Sequence, residues 1–264
     1  LDPGDEAIHT EYGFLVFPQS IRISGGTPVL AKDKNFTASL ENIQEKITKK
    51  TKIIFLANPN NPTGTMVCEE EIRSFFKDIR SDILVVLDSA YAEYVDNKDY
   101  TDGSKFVEEF DNIIMLRTFS KLHALASLRL GWAYCPIKVA NILKSIRPAF
   151  SVNALASFAG IAAVEDIKFQ ELSFAHNKKY KDWIFKKLES HQIDFIPSET
   201  NFFLLNFKSE ELASDALKFL EKNNIFVRGM RPYNLNSYLR ITIGEENEME
   251  KLLDCLLEFL GNAK

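Results

Sequence analysis

Apolar residues fall along this chain in two rhythms. From Lys52 to Leu56, Ile83 to Leu87 and Ile113 to Leu116 they form short continuous runs rich in β-branched side chains, each running into a polar turn. Runs of this length and composition predict strands, and continuity rather than alternation predicts burial on both faces, as in a parallel sheet. Leu128 to Tyr134 reads as a fourth such strand. Glu69 to Arg80 instead sets Ile72, Phe75, Phe76 and Ile79 at helical spacing, behind an acidic triplet suited to a helix N-terminus. Strands alternating with helices give an α/β class with a mostly parallel central sheet and helices on both faces.

Beyond Pro136 the texture changes. Ile137 to Ile146 and Ala154 to Glu165 read as helices, followed by a long polar, Lys-rich helix from roughly Phe169 to Ser190. Within it, Lys178-Lys179-Tyr180-Lys181 and Lys186-Lys187 read as a solvated face. Strands over Asn201–Phe207, Ile225–Arg228 and Tyr238–Ile243, with helices over Glu210–Asn223 and Glu246–Leu260, predict a smaller α+β unit. The expected division is a large domain over 1–147, connecting helices over 148–190 and a small C-terminal domain over 191–264.

Composition narrows the function classes. The 264 residues are enough for two units sharing a cleft, and 45% hydrophobic with 26% charged residues is an ordinary globular balance. The net charge of −5 is spread with both signs interleaved, so the basic face that a nucleic acid requires is missing. The apolar runs are too short to span a bilayer. Cys68, Cys135 and Cys255 are scattered without paired spacing, and no basic start leads into an apolar run; both point to the cytoplasm. His9, His123, His176 and His191 lack metal-ligand spacing, so no metal is expected. The opening Leu1-Asp2-Pro3-Gly4-Asp5 reads as a turn between elements, which suggests a fragment.

In a parallel α/β sheet, ligands bind beyond the carboxyl ends of the strands. The first predicted strand runs into Asn58-Pro59-Asn60-Asn61-Pro62-Thr63-Gly64, the second into Asp88-Ser89-Ala90-Tyr91, the third into Arg117-Thr118-Phe119-Ser120-Lys121, and Arg129 precedes the end of the fourth. Each has a bland reading: an Asp caps a helix, a Lys is a surface charge, Asn, Pro and Gly make turns, and an Arg is an exposed ion-pair partner. Their joint order at consecutive strand ends is what stands out.

That combination resembles the fold-type I pyridoxal-phosphate (PLP) enzymes, specifically the aminotransferase class that contains the histidinol-phosphate aminotransferases. The resemblance runs from Gly4 to the closing helix. It rests on the Asn-Pro-Asn-Asn-Pro-Thr-Gly segment, on Val85-Val86-Leu87-Asp88-Ser89-Ala90-Tyr91, and on Thr118-Phe119-Ser120-Lys121 with Arg129 eight residues on. It implies a Schiff base between Lys121 and PLP, Asp88 against the pyridine nitrogen, and Asn61 and Tyr91 on the phenolic oxygen. By the same resemblance Thr118, Ser120 and Arg129 bind the phosphate, Tyr12 stacks on the ring, and the Asn61–Pro62 bond is cis. Arg240, in Tyr238-Leu239-Arg240-Ile241-Thr242, matches the arginine that grips substrate anions, with Arg228 and Asn201 as lesser candidates.

The implied reaction moves an amino group from L-histidinol phosphate to 2-oxoglutarate, in a homodimer, within histidine biosynthesis. Alternatives are an aromatic or other amino-acid aminotransferase, a related decarboxylase with the same cofactor, and a non-catalytic scaffold of the same fold. Two departures stand against the family pattern. Ala124, Ala126 and Ser127 replace glycines between Lys121 and Arg129. The family's upstream segment, with its N-terminal arm and glycine-containing phosphate loop, has no counterpart here.

Overall fold

The computed structural model describes residues 1–262, which form two sheets. The first is built from β1 (Glu6–Thr10), β2 (Thr27–Ala31), β3 (Thr51–Ala57), β4 (Leu84–Asp88), β5 (Ile113–Thr118) and β6 (Gly131–Tyr134), in the order β2-β1-β3-β4-β5-β6. Every pairing is parallel except β5 with β6. Helices α1 (Val16–Ile23), α2 (Leu40–Glu45), α3 (Glu69–Asp78) and α4 (Ser104–Glu109) lie between the strands. Then α5 (Ile137–Ile146), α6 (Ala154–Glu165) and α7 (Ile167–Ser190) lead to the second sheet. That sheet is antiparallel, ordered β7 (Phe195–Ile196), β8 (Phe202–Asn206), β10 (Tyr238–Thr242), β9 (Arg228–Gly229), and α8 (Glu210–Lys222) and α9 (Glu246–Asn262) pack with it.

Local chemistry sets the helix starts. The acidic triplet Glu69–Glu71 opens α3, and Glu71 Oε2 accepts the Cys68 N–H at 3.2 Å. Asn153, Asp166 and Ser209 cap α6, α7 and α8 by accepting the N–H groups of Ala156, Phe169 and Leu212.

Alternate residues of the parallel strands face opposite ways. Ile8, Ile54, Leu56, Val85, Leu87, Ile113 and Met115 form one core with Ile43 of α2, Ile72, Phe75 and Phe76 of α3 and Phe106 of α4. Phe76 meets Phe106 edge to face at 5.0 Å. On the other face Phe55 stacks on Phe17 of α1 at 4.9 Å, so helices cover both sides of the sheet. A second core joins Phe203, Leu205, Leu239 and Ile241 to α7, α8 and α9.

At one point of the seam between the two sheets the approach admits only a glycine. Gly64 has φ +76°, and a Cβ there would sit 2.1 Å from Ser198 Oγ. Its carbonyl accepts the Glu199 N–H at 2.8 Å. Both the positive φ and the close approach exclude any side chain.

Three readings of the pattern need correction. The strand predicted from Leu128 begins only at Gly131, after a 3-10 turn, and its residues are exposed because it lies at the antiparallel edge. The strand predicted over Ile225–Arg228 shrinks to Arg228–Gly229, the only pair that β10 reaches there, and leaves Phe226 79% exposed. The Lys-rich face of α7 is not all wet: the helical turn carries Tyr180 and Lys181 inward, and Lys181 Nζ lies 3.8 Å from Glu199.

Beyond β6 the apolar surface is unusual. α6 carries apolar residues all round, yet Leu155, Phe158, Ile161 and Val164 are exposed, as are Ile137, Ile142 and Ile146 of α5. An all-apolar helix facing water is a surface built for cover. Among the described residues no helix is long and apolar enough to cross a membrane.

The first core makes a direct prediction. Phe106 is fully buried between α3 and β5, so Phe106→Ala is expected to cost about 3–5 kcal/mol. A denaturant titration checks this, and a loss below about 1 kcal/mol would show that the aromatic cluster does not carry the core.

Candidate active site

The turn after β3 is pinned from inside. The buried Asn58 side chain donates to the Val67 carbonyl at 3.0 Å and accepts the Val67 N–H at 2.8 Å. Asn60 Nδ2 donates to the Tyr12 carbonyl at 3.0 Å and to Thr63 Oγ1 at 2.9 Å. The Asn61–Pro62 bond is cis as expected, and so is Asn58–Pro59, which the sequence reading did not anticipate. Between them Asn61 turns outward, and its Oδ1 accepts from Arg240 Nη1 at 2.6 Å.

At the end of β4, Asp88 Oδ1 accepts the Ala90 N–H at 3.1 Å. That bond closes a turn two residues long and caps no helix, because the cap position of the 3-10 segment Ala92–Tyr94 is Tyr91 and takes no side-chain bond. Burial pushes the Asp88 carboxyl up to about 6, although the Ala90 N–H and the Lys121 charge pull the other way. Lys121 is shifted down, first by burial and then by Arg240, with Asp88 opposing. Its Nζ lies 5.1 Å from the centre of the Tyr91 ring. Burial also raises the Tyr91 hydroxyl.

Tyr91 meets Phe202 of β8 edge to face at 5.2 Å, and the Arg240 guanidinium lies over the same Phe202 ring at 4.6 Å. Arg240 is lowered by its own burial, and its Nε is buried without a hydrogen-bond partner. One side chain from the second sheet thus reaches the turn of the first.

These groups enclose a cavity of about 90 Å³ walled by Phe14, Ala57, Pro59, Asn61, Asp88, Ala90, Tyr91 and Lys121. A larger groove of about 770 Å³ between α2 and α3 is open and acidic, lined by Glu41, Glu45, Glu71 and Asp78. The small cavity is where the strand ends converge, and it is the candidate site.

Asn61, Asp88, Tyr91 and Lys121 therefore come together, with Arg240 bonded to the first of them. The other predicted residues lie outside the cavity wall. Thr118 Oγ1 accepts the Ser120 N–H at 3.0 Å, which shapes the turn leading into Lys121. Arg129 is exposed at φ 56° and donates to the Ala126 carbonyl. The Tyr12 ring stacks on Phe36 at 5.8 Å, while its N–H is held by Asp33, a buried carboxyl also pushed up to about 6 by burial. Arg228 is exposed beside Arg240 in the β9–β10 register, and the Asn201 carbonyl accepts the Ile243 N–H.

Phe14 was missed. It is an aromatic residue in the turn after β1, packed edge-on against Phe17 at 5.9 Å. Its only signal in the sequence is its place two residues past Tyr12.

An acid and an amine drawn out of water at the carboxyl edge of a parallel sheet, beside an asparagine held by an arginine from a second sheet, define a group-transfer enzyme of the aminotransferase kind. The chain belongs to the aminotransferase class I and II family, whose model matches residues 1–256. It is 42% identical over 261 residues to histidinol-phosphate aminotransferase of Paramagnetospirillum magneticum, covering 98% of this chain and 72% of that protein. It is 40% identical to the enzyme of the same name from Rhodospirillum centenum, with the same shares covered. The crystal structure of histidinol-phosphate aminotransferase from Sinorhizobium meliloti in complex with pyridoxal-5'-phosphate superposes with a TM-score of 0.91 at 25% identity, over 100% of this chain and 72% of that one.

The raised Asp88 carboxyl gives a pH signature. Its ordinary value is 3.8 and its folded value about 6. Between these the folded chain holds more protons than the unfolded one, so stability drains away as pH rises through that window. Asparagine does not titrate. Asp88→Asn is therefore expected to gain on the parent between about pH 4 and pH 6 and to keep its lead above that. Thermal unfolding of the cofactor-free protein across this range tests it, and parallel curves for parent and variant would contradict the raised carboxyl.

Proposed function

We propose that this chain is the catalytic body of a PLP-dependent aminotransferase that converts L-histidinol phosphate and 2-oxoglutarate to imidazole acetol phosphate and L-glutamate, a step of histidine biosynthesis. The observation that carries it is the cavity in which a Lys121 amine lowered by burial faces an Asp88 carboxyl raised by burial. The residues fit the cofactor. The cavity has the scale of one aromatic ring, and its base offers an acid for a protonated ring nitrogen. One buried donor bonded to the cavity wall, Arg240, has an Nε without a hydrogen-bond partner and would suit an anion.

PLP, when bound, supplies an electron sink for the carbanion left when the substrate loses its α-proton. Lys121 would hold the cofactor and then move that proton, work for which an amine kept towards its neutral form is suited. Asp88 would pair with the ring nitrogen and so regain its ionised form. Asn61 and Tyr91 would hydrogen-bond the phenolic oxygen from the cavity wall. Thr118 and Ser120, in the turn before Lys121, and Arg129 would bind the phosphate, the arginine with a forked donor pair. Tyr12 and Phe14 would supply the aromatic cover of the ring. Arg240 would take the carboxylate of glutamate or the substrate phosphate, with Arg228 and Asn201 in support.

A homodimer of cytoplasmic protein is the form we propose, and the exposed apolar faces of α5 and α6 support self-association. Sedimentation is expected to give a dimer, and exchange of Phe158 for Glu is expected to yield monomer. A wild-type protein that stays monomeric would refute this surface.

The function is tested by colour and by product. Added PLP is expected to give the purified protein a visible absorbance band, absent in Lys121→Ala, which should also lose activity by at least about a thousandfold. Ketone should form from histidinol phosphate and far less from phenylalanine. The reverse preference would assign the chain to aromatic substrates, and the absence of a band in the parent would overturn the cofactor assignment.

A further inference from the structure

One guanidinium ties together the segments that carry the candidate site. Arg117 lies in β5, four residues before Lys121, with its side chain 14% exposed. Its Nε and Nη2 donate to Glu93 Oε1 at 3.3 and 2.7 Å, and its Nη1 donates to Asp102 Oδ2 at 3.0 Å. Glu93 belongs to the 3-10 turn that starts directly after Tyr91. Asp102 ties in the residue next to Asp88: its carbonyl accepts the Ser89 hydroxyl at 2.8 Å, and its Oδ1 takes the N–H and hydroxyl of Ser104 at the start of α4. The Trp132 ring of β6 closes the fourth side at 5.8 Å from the guanidinium.

The arrangement is an expensive way to gain stability. Charges taken from water must recover their desolvation, and apolar packing often serves as well. Here two acids share one guanidinium, and Glu93 Oε2 is buried with no partner at all. What it does supply is geometry, because a planar guanidinium bonded to two different acids fixes direction as well as distance. It fixes β5, which leads to Lys121, against the segment that carries Asp88 and Tyr91.

We propose that Arg117 is a positioning residue: by gripping Glu93 and Asp102 it sets where the Lys121 amine stands relative to Asp88 and Tyr91, and so aligns the amine for proton transfer. This rests on the reading of Lys121 as the proton-carrying amine. Misplacement of a reacting group by about 1 Å can cost about a hundredfold in rate.

A second arginine provides the control. Arg73 of α3 also bridges two acids, Glu69 and Glu109, and also lies over an aromatic ring, Phe106 at 4.9 Å, but on the helix-covered face away from the site. The experiment compares Arg117→Lys, Glu93→Gln and Arg73→Lys in the PLP-loaded protein. It reads the melting temperature, the rate at which the visible band develops on adding PLP, kcat and KM, and the isotope effect with α-deuterated substrate. Arg117→Lys and Glu93→Gln are expected to slow band formation and lower kcat by about 10–100-fold, with KM held within about twofold and a larger isotope effect. Arg73→Lys is expected to lower only the melting temperature. If Arg117→Lys or Glu93→Gln loses stability as Arg73→Lys does while kcat, the isotope effect and band formation stay within about twofold of the parent, the clamp is structural and the proposal falls. Glu93→Gln keeps the side-chain shape and decides the matter if Arg117→Lys does not fold. A parent protein without any visible band removes the reading of Lys121, and this inference with it.

Discussion

One acid and one amine are drawn partly out of water, and much of the architecture serves to hold them there. Asp88 and Lys121 have opposite tendencies in solution, yet burial moves both towards their neutral forms. Such a pair holds only if the surrounding backbone cannot relax to admit solvent. The parallel sheet provides this by delivering the ends of β3, β4 and β5 to one edge, where short internally bonded turns close over them. A ring nitrogen that carries a proton would restore the charge that Asp88 gives up on burial, so the site is completed chemically by its ligand.

The second sheet contributes through two neighbouring strands, β8 and β10. Arg240 of β10 reaches Asn61 directly, and Phe202 of β8 touches both Arg240 and Tyr91. Removing either side chain would therefore disturb the first sheet's turn as well as any substrate contact. The two buried arginines near the site act differently. Arg117 has its hydrogen bonds filled by Glu93 and Asp102, whereas Arg240 keeps a buried N–H free. The filled arginine is suited to holding protein in place, the open one to meeting an anion.

Much of this was legible in the sequence because it depends on local rules. The runs at β3, β4 and β5 are continuous and apolar, and the turns that follow them carry Asn61, Asp88 and Lys121 in plain order. What escaped depends on distance. β1 and β2 hold only two or three apolar residues in a row, next to His9 and Thr10 in one and behind Pro28 in the other, so pairing decides that they are strands. Lys181 looks like its neighbours on α7 until the fold brings Glu199 beside it. Arg117 meets acids 24 and 15 residues away, a separation that no periodicity encodes. Phe14, which walls the cavity, lies two positions past Tyr12 in the same turn, and the two rings are set apart by packing on Phe17 and Phe36.

The seam at Gly64 limits how this molecule can be taken apart. Its bond to Glu199 joins backbone to backbone, and the Ser198 side chain sits against it, inside the same turn that presents Asn61. The two sheets are therefore not interchangeable modules. A chimera that borrows the C-terminal sheet from a relative must bring the 197–201 segment together with the 58–66 turn, or the borrowed sheet will misaim Asn61 even with every side chain of the cavity preserved. Grafting would have to follow that joint instead of the boundary suggested by counting strands.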